Sequence, residues 1–207
     1  LKRLKISYVP VAPSTVPTDT ASVKMDDVQA AYEMTEFLVK QGHNKIGFIK
    51  GHSEHSATSL RYQGFAKAIK AAGFGVQPQY IAEGDFSFKS GVDAAENLLQ
   101  LEAPPTAIFA SNDDMAAGVV SVANRLGLLV PNDLSVVGFD DTPLARILWP
   151  QLTTIKQPIY EMGFQAVSLL IQPPKASDAR LSYCLDHKLI IRDSTSARGI
   201  KEVTDKF

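Results

Sequence analysis

Cysteine is nearly absent: Cys184 is the one thiol in 207 residues. It cannot close an intrachain disulfide, so a reducing compartment is the natural setting, and the residue reads as an inert small hydrophobe in a late strand. Runs of like charge are also scarce, with no stretch of Lys and Arg reaching four residues and a formal net charge of −1. That argues against an electrostatic footprint for nucleic acid or an anionic membrane. No window approaches the roughly 18 apolar residues of a membrane span. The start, LKRLKISYVPVAP, is positive but has no apolar core of signal-peptide length. The expectation is a cytoplasmic chain, neither exported nor inserted.

Catalytic signatures are missing too. There is no phosphate loop, dinucleotide fingerprint, His-Glu-x-x-His or Gly-x-Ser-x-Gly. The one metal-like cluster, His52, Glu54 and His55, has no further ligand at a recognisable spacing and reads as a polar loop. No catalytic residue, metal site or cofactor is therefore expected.

What the chain does have is 45% hydrophobic residues, enough for one large domain or two small lobes. Short apolar runs alternate with helical patterns. Ile6–Val11 reads as a strand closed by Pro10 and Pro13, and Pro13–Ser22 as a loop. Val28, Ala31, Tyr32, Phe37 and Leu38 mark a helix over Asp27–Lys40, with Asp26 and Asp27 as cap candidates and Gly42 as its stop. Ile46–Ile49 is a buried strand. The polar loop His52–Ser59 leads to a helix with Phe65, Ala68, Ile69 and Ala72 inward, stopped by Gly73. Tyr80–Ala82 is a brief strand, and a helix with Val92, Ala95, Leu98 and Leu99 inward follows. This alternation predicts a doubly wound parallel sheet.

The densest information lies between Pro105 and Pro158. Two apolar runs, Ala107–Ala110 and Leu134–Phe139, each end in a polar cluster, Ser111-Asn112-Asp113-Asp114 and Asp140-Asp141-Thr142. Between them Met115, Val119, Val122, Ala123 and Leu126 form a helix face stopped by Gly127. The clusters thus fall at strand carboxyl ends, where open α/β sheets bind ligands. In each Asp doublet, one carboxylate is expected to cap a helix and the other to face the ligand. A strand over Leu152–Ile155 follows, then a helix with Pro158 at its first position and Ile159, Met162, Ala166, Leu169 and Leu170 on its apolar face. Pro173-Pro174 ends that helix. A polar turn, a β-rich stretch over Leu181–Ile191 and a frayed tail after Arg192 complete the chain.

The segments PTAIFASNDDMA, GLLVPNDLSVVGFDD and PQLTTIKQP resemble the signatures of the LacI/GalR family of bacterial transcription regulators, in their effector-binding domain. The stretch SVKMDDVQAAYEMTEFLVKQGHNKIGFIKG is similar to another of that family's segments. The resemblance runs from about Ile6 to Thr195. It implies an α/β fold of doubly wound parallel sheets, periplasmic-binding-protein-like type I, with one complete lobe and part of a second. Residues 1–44 would be a remnant of the first lobe and 45–156 the second lobe. Residues 157–175 would be a helix returning to the first lobe, 176–195 the last strands of the second, and 196–207 a tail.

It also implies a ligand site. Arg61 in LRYQGF and Asp140 in GFDD match cleft residues, Phe86 in EGDFSF matches the ring that stacks on ligand, and Asn112 in SNDD matches a strand-end contact. Asp26, Gln157 and His55 match further cleft positions. Each has a local alternative: a solvated charge for Arg61, core packing for Phe86, and a cap or crossover hydrogen bond for Asn112, Asp140, Asp26 and Gln157. The doublet Asp26-Asp27 leaves open which carboxylate faces the cleft. Arg, Asp and Asn beside a ring suit a hydroxyl-rich ligand such as a carbohydrate.

The expected partners are a small-molecule effector, a second copy of the chain, and operator DNA only through a headpiece this chain is expected to lack; no membrane is expected. Missing first-lobe strands would leave the helices Val28–Leu38 and Ile159–Leu170 with exposed apolar faces. Two rivals are a transporter's sugar-binding protein of the same fold, distinguished by an upstream export signal, and an α/β enzyme, for which no nucleophile and base are visible.

Overall fold

Three apolar runs buried on both faces form a parallel sheet, with a half-buried fourth strand at its edge. The computed structural model describes residues 6–15, 20–173 and 182–198. Strands β2 (Ile46–Ile49), β3 (Ile81–Ala82), β4 (Ala107–Ala110) and β5 (Ser135–Val137) pair in the order β3-β2-β4-β5, all parallel. Phe48 stands opposite Phe109, and Phe109 opposite Val137. Alternate residues serve opposite faces. Phe48, Ala107, Phe109 and Val137 meet helices α1 (Asp27–Lys40) and α2 (Ser56–Ala71). Ile49, Ile108, Ala110 and Val136 meet α3 (Phe88–Leu99) and α4 (Asp113–Arg125). The result is the three-layer, doubly wound arrangement expected from the alternation.

Beyond β5 the chain forms the short helix α5 (Pro143–Ile147) and strand β6 (Thr154–Lys156). Single parallel bridges, Val137–Thr153 and Asp140–Lys156, set this segment beside β5, and β8 (Lys188–Ile190) pairs antiparallel to β6. A separate two-stranded parallel sheet joins β1 (Ser22–Met25) to β7 (Ser182–Leu185), covered by α6 (Ile159–Ile171). Its small core is Ala21, Val23, Met162, Ala166 and Leu169.

Several expectations need correction. Ile6–Val11 is not a strand: Pro10 and Pro13 lack donors, and among the described residues it forms one bridge, from Val11 to Val23. Ser22, expected to end a loop, instead opens β1, and Val23–Met25, for which no element was expected, complete it. Helix α2 starts at Ser56 rather than after Ser59, because the Thr58 hydroxyl donates to the His52 carbonyl at 2.7 Å and closes the turn early. Pro158 sits at the cap of α6, one residue before the helix. Leu126 is 52% exposed at the α4 terminus instead of on its buried face.

Helix α1 buries Ala30, Ala31, Met34 and Leu38 against Phe48 and Phe65 of the large sheet's layer. The apolar face of α1 is therefore covered, while α6 keeps Tyr160, Phe164 and Ile171 exposed opposite its buried stripe. Strand β7 pairs with β1, and its Tyr183 and Leu185 pack against the small core. The chain after Arg192, expected to fray, is held as far as Arg198: Ser194 is buried with its hydroxyl donating to the Val136 carbonyl at 2.6 Å, and the Arg198 N–H donates to the Gln41 carbonyl at 2.7 Å. The expected turn over 174–181 and residues 199–207 lie outside the described residues.

Candidate functional site

The parallel strands end together, and the residues just past them are small or polar apart from the buried Phe139: Lys50-Gly51, Ser111-Asn112, and Gly138, Asp140 and Asp141. Arg61 reaches this edge from α2 and is 5% exposed. A buried guanidinium needs partners for its charge and its fork of donors. Nε donates to Asp27 Oδ1 at 2.9 Å, Nη1 donates to the Ser111 carbonyl at 2.6 Å, and the Phe139 ring centroid lies 3.6 Å from the guanidinium carbon. Among the described residues Nη2 makes no hydrogen bond. Donors on this fork are thus left for a further acceptor.

Asp140 lies beside it, with Oδ1 3.6 Å from Arg61 Nη1. Its N–H donates to the Ile155 carbonyl at 2.7 Å, and Gln157 Nε2 donates to Oδ1 at 2.6 Å. Burial raises the Asp140 carboxyl to a pKa of about 6, against the pull of Arg61 and Gln157, and the charges of Asp113 and Asp27 add to the rise. Oδ2 has no partner among the described residues. Asp140 has φ +118° and Asp141 φ +55°, conformations that non-glycine residues hold at a cost of order 1–3 kcal/mol each.

The doublets resolve differently from expectation. No Asp of either doublet caps α4: Asn112 does, its Oδ1 accepting from the Met115 N–H at 3.0 Å. Asp113 is fully buried and accepts from the Thr142 N–H (2.7 Å), the Thr142 hydroxyl (3.0 Å) and the Thr154 hydroxyl (2.6 Å). Burial raises its pKa although these bonds oppose the rise. Asp141 accepts from Arg192 at 2.5 Å and from Arg146 at 3.1 Å. Burial works against its charge, but the two arginines win and hold its carboxyl below the ordinary range.

Phe86, Asn112 and His55 form a second group. Asn112 Nδ2 donates to the Phe86 carbonyl at 2.8 Å, so its amide is largely engaged within the protein and one N–H remains. Phe86 has φ +73° and its ring lies on Gly51, where a Cβ would come within 1.9 Å of the ring Cζ. The exposed His55 ring is 5.6 Å from Phe86 and 5.5 Å from His52. Among the described residues no three His, Cys, Asp or Glu are placed to hold a metal ion.

Asp26 is the residue left apart. It caps α1, accepting from the Gln29 N–H at 2.9 Å, and is exposed, while Asp27 goes to Arg61. Asp27 and Phe139 are thus the neighbours of Arg61 that sequence reasoning did not place. The signal for Asp27 was available: with Ala30, Ala31 and Met34 it continues the buried stripe of α1 at helical spacing.

Comparison with known proteins gives a consistent result. Residues 35–195 match the family described as periplasmic binding protein-like domain. The HTH-type transcriptional repressor CytR of Escherichia coli K12 is 44% identical over 180 residues, which is 85% of this chain and 52% of the repressor. The chain thus spans about half the length of that curated relative. A solved transcriptional regulator LacI from Bacillus cereus subsp. cytotoxis NVH 391-98 superposes with TM-score 0.88 at 32% identity, covering 96% of this chain and 71% of that one. A solved complex of the regulator CelR with cellobiose superposes with TM-score 0.84 at 30% identity, covering 91% and 59%.

Proposed function

Because this chain belongs to the periplasmic binding protein-like domain family, in its LacI-type effector-binding form, we propose that it binds a hydroxyl-rich small molecule, a carbohydrate, beside Arg61 and Asp140. The observation that carries the reading is the Arg61–Asp140–Gln157 cluster at the strand ends, with Arg61 Nη2 and Asp140 Oδ2 unengaged among the described residues. A guanidinium fork and a carboxylate oxygen can between them donate to and accept from neighbouring hydroxyls. The Phe86 ring offers an apolar surface to a sugar's C–H face. The cellobiose held by the structurally similar CelR regulator supports this ligand class.

In this reading the ligand favours one arrangement of the β1–β7–α6 unit relative to the large sheet, which requires only that it bind the two arrangements unequally. A coupling of roughly 1–3 kcal/mol is typical of such switches. In a longer, cytoplasmic, dimeric protein the change would reach operator DNA through a separate headpiece. The regulator names of the curated and solved relatives support this over the transporter reading. The test is a thermal-shift screen against mono- and disaccharides, cellobiose included. Ligand at 100 times its Kd stabilises by about 2.7 kcal/mol, a shift that should vanish in Asp140→Ala. A flat response to every sugar would move the search to purines and other metabolites.

A further inference from the structure

We propose that Asp113 is a positioning residue for Asp140, holding the ligand-facing carboxylate against Arg61; this rests on the cleft reading above. Asp113 is 0% exposed, so it does not itself touch a ligand. It does not cap its helix, since Asn112 does. It forms no ion pair among the described residues, and an unpaired buried carboxylate is costly unless hydrogen bonds satisfy it.

All three of its bonds go to the segments that bracket Asp140. Oδ2 accepts the N–H and hydroxyl of Thr142, two residues later, and Oδ1 accepts the hydroxyl of Thr154. Thr154 adjoins Ile155, whose carbonyl takes the Asp140 N–H. Two residues before Asp140, Gly138 makes room: a Cβ there would lie 2.5 Å from Asp113 Oδ1. The chain from Gly138 to Thr142 is therefore wrapped on one carboxylate, and within that wrap Asp140 and Asp141 hold positive φ. Strain of that kind persists only where the surroundings over-determine it. The charged groups acting on Asp140 are Arg61, Asp27 and Asp113. Arg61 is anchored independently by Asp27 and the Ser111 carbonyl, so loosening the turn moves Asp140 away from it.

The test needs no ligand. With 13C-labelled aspartate, the Asp140 carboxyl is titrated by NMR in the 207-residue chain, assigned with Asp140→Asn. The expected midpoint near 6 falls by more than one pH unit toward 3.8 in Asp113→Ala, as Asp140 swings toward water. Asp113→Asn, whose amide oxygen still accepts the Thr142 N–H, restores most of the difference. An unmoved midpoint in Asp113→Ala with only a lower melting temperature overturns the proposal, because the role is then structural alone. An equal fall in both variants also overturns it, since it reports lost charge rather than lost position. If Asp113→Ala fails to fold, Gly138→Ala displaces the carboxylate instead, with the same fall expected. A midpoint that behaves as expected while no sugar binds the wild type leaves the clamp standing and removes the carbohydrate reading.

Discussion

Arg61 Nε and Asp27 Oδ1 are 2.9 Å apart across the α1–α2 contact, with their side chains 6% and 10% exposed. The pair fastens α1 to the sheet edge where the candidate site lies. Removing one member of a buried pair strands the other charge, at a cost of about 3–5 kcal/mol. Asp27→Ala should lower the unfolding free energy by that order in urea titrations, and Asp27→Ala/Arg61→Met should recover much of it. A loss below about 1 kcal/mol would mean the guanidinium finds water, as a surface charge does.

Stability should depend on pH through Asp140. Its folded pKa is about 6, against 3.8 for an ordinary solvated aspartate as in the unfolded chain, with burial as the main cause. Between those values the folded chain keeps a proton that the unfolded chain has released. This group's contribution is therefore complete below about 4 and is lost as pH rises through 6. Two units correspond to about 3 kcal/mol at most. Asp140→Asn should flatten that segment of the pH–stability curve, and chemical denaturation from pH 4 to 7 reads the difference.

Much of this architecture was visible in the residues. The runs Ile46–Ile49 and Ala107–Ala110 are strands over the same residues as their apolar composition indicated. The helix stops Gly42, Gly73 and Gly127 all adopt positive φ, the conformation that made glycine informative there. Hidden features had a different cause. Ser22–Met25 is four residues long with two polar, and α5 is five residues opening on Pro143, so neither shows a period. The β1–β7 pairing joins Ser22 to Ser182, a contact that no local pattern encodes. Within the site, Arg61, Asp140 and Gln157 come together, and helix spacing separates Asp27, in phase with Ala30, Ala31 and Met34, from the capping Asp26. Asn112 takes its capping alternative at α4 and also fixes the Phe86 carbonyl.

Gly51 sets where the Phe86 ring lies. A methyl at that position would overlap the ring, 1.9 Å from Cζ, so Gly51→Ala should expel Phe86 from its seat. Overpacking of this kind costs about 1–3 kcal/mol. The sugar-dependent thermal shift should be lost in Gly51→Ala and in Phe86→Ala. Retention of the full shift in both would show that the ring has no part in binding.

Helix α6 is apolar on two sides. Met162, Ala166 and Leu169 face the small β1–β7 sheet, while Tyr160 is 80%, Phe164 66% and Ile171 73% exposed on the other side. Apart from the narrow polar sector of Glu161, Gln165 and Ser168, this helix is apolar, and contiguous exposed patches of this kind mark association surfaces. A second copy of the chain brings an identical patch, so a two-fold contact is self-complementary without further design. Light scattering should therefore give the mass of a dimer for the wild type. Phe164→Glu, which places a charge in the middle of the patch and leaves Met162, Ala166 and Leu169 in place, should shift that mass to the monomer. A wild-type chain that stays monomeric at high concentration would remove self-association as the way this face is covered.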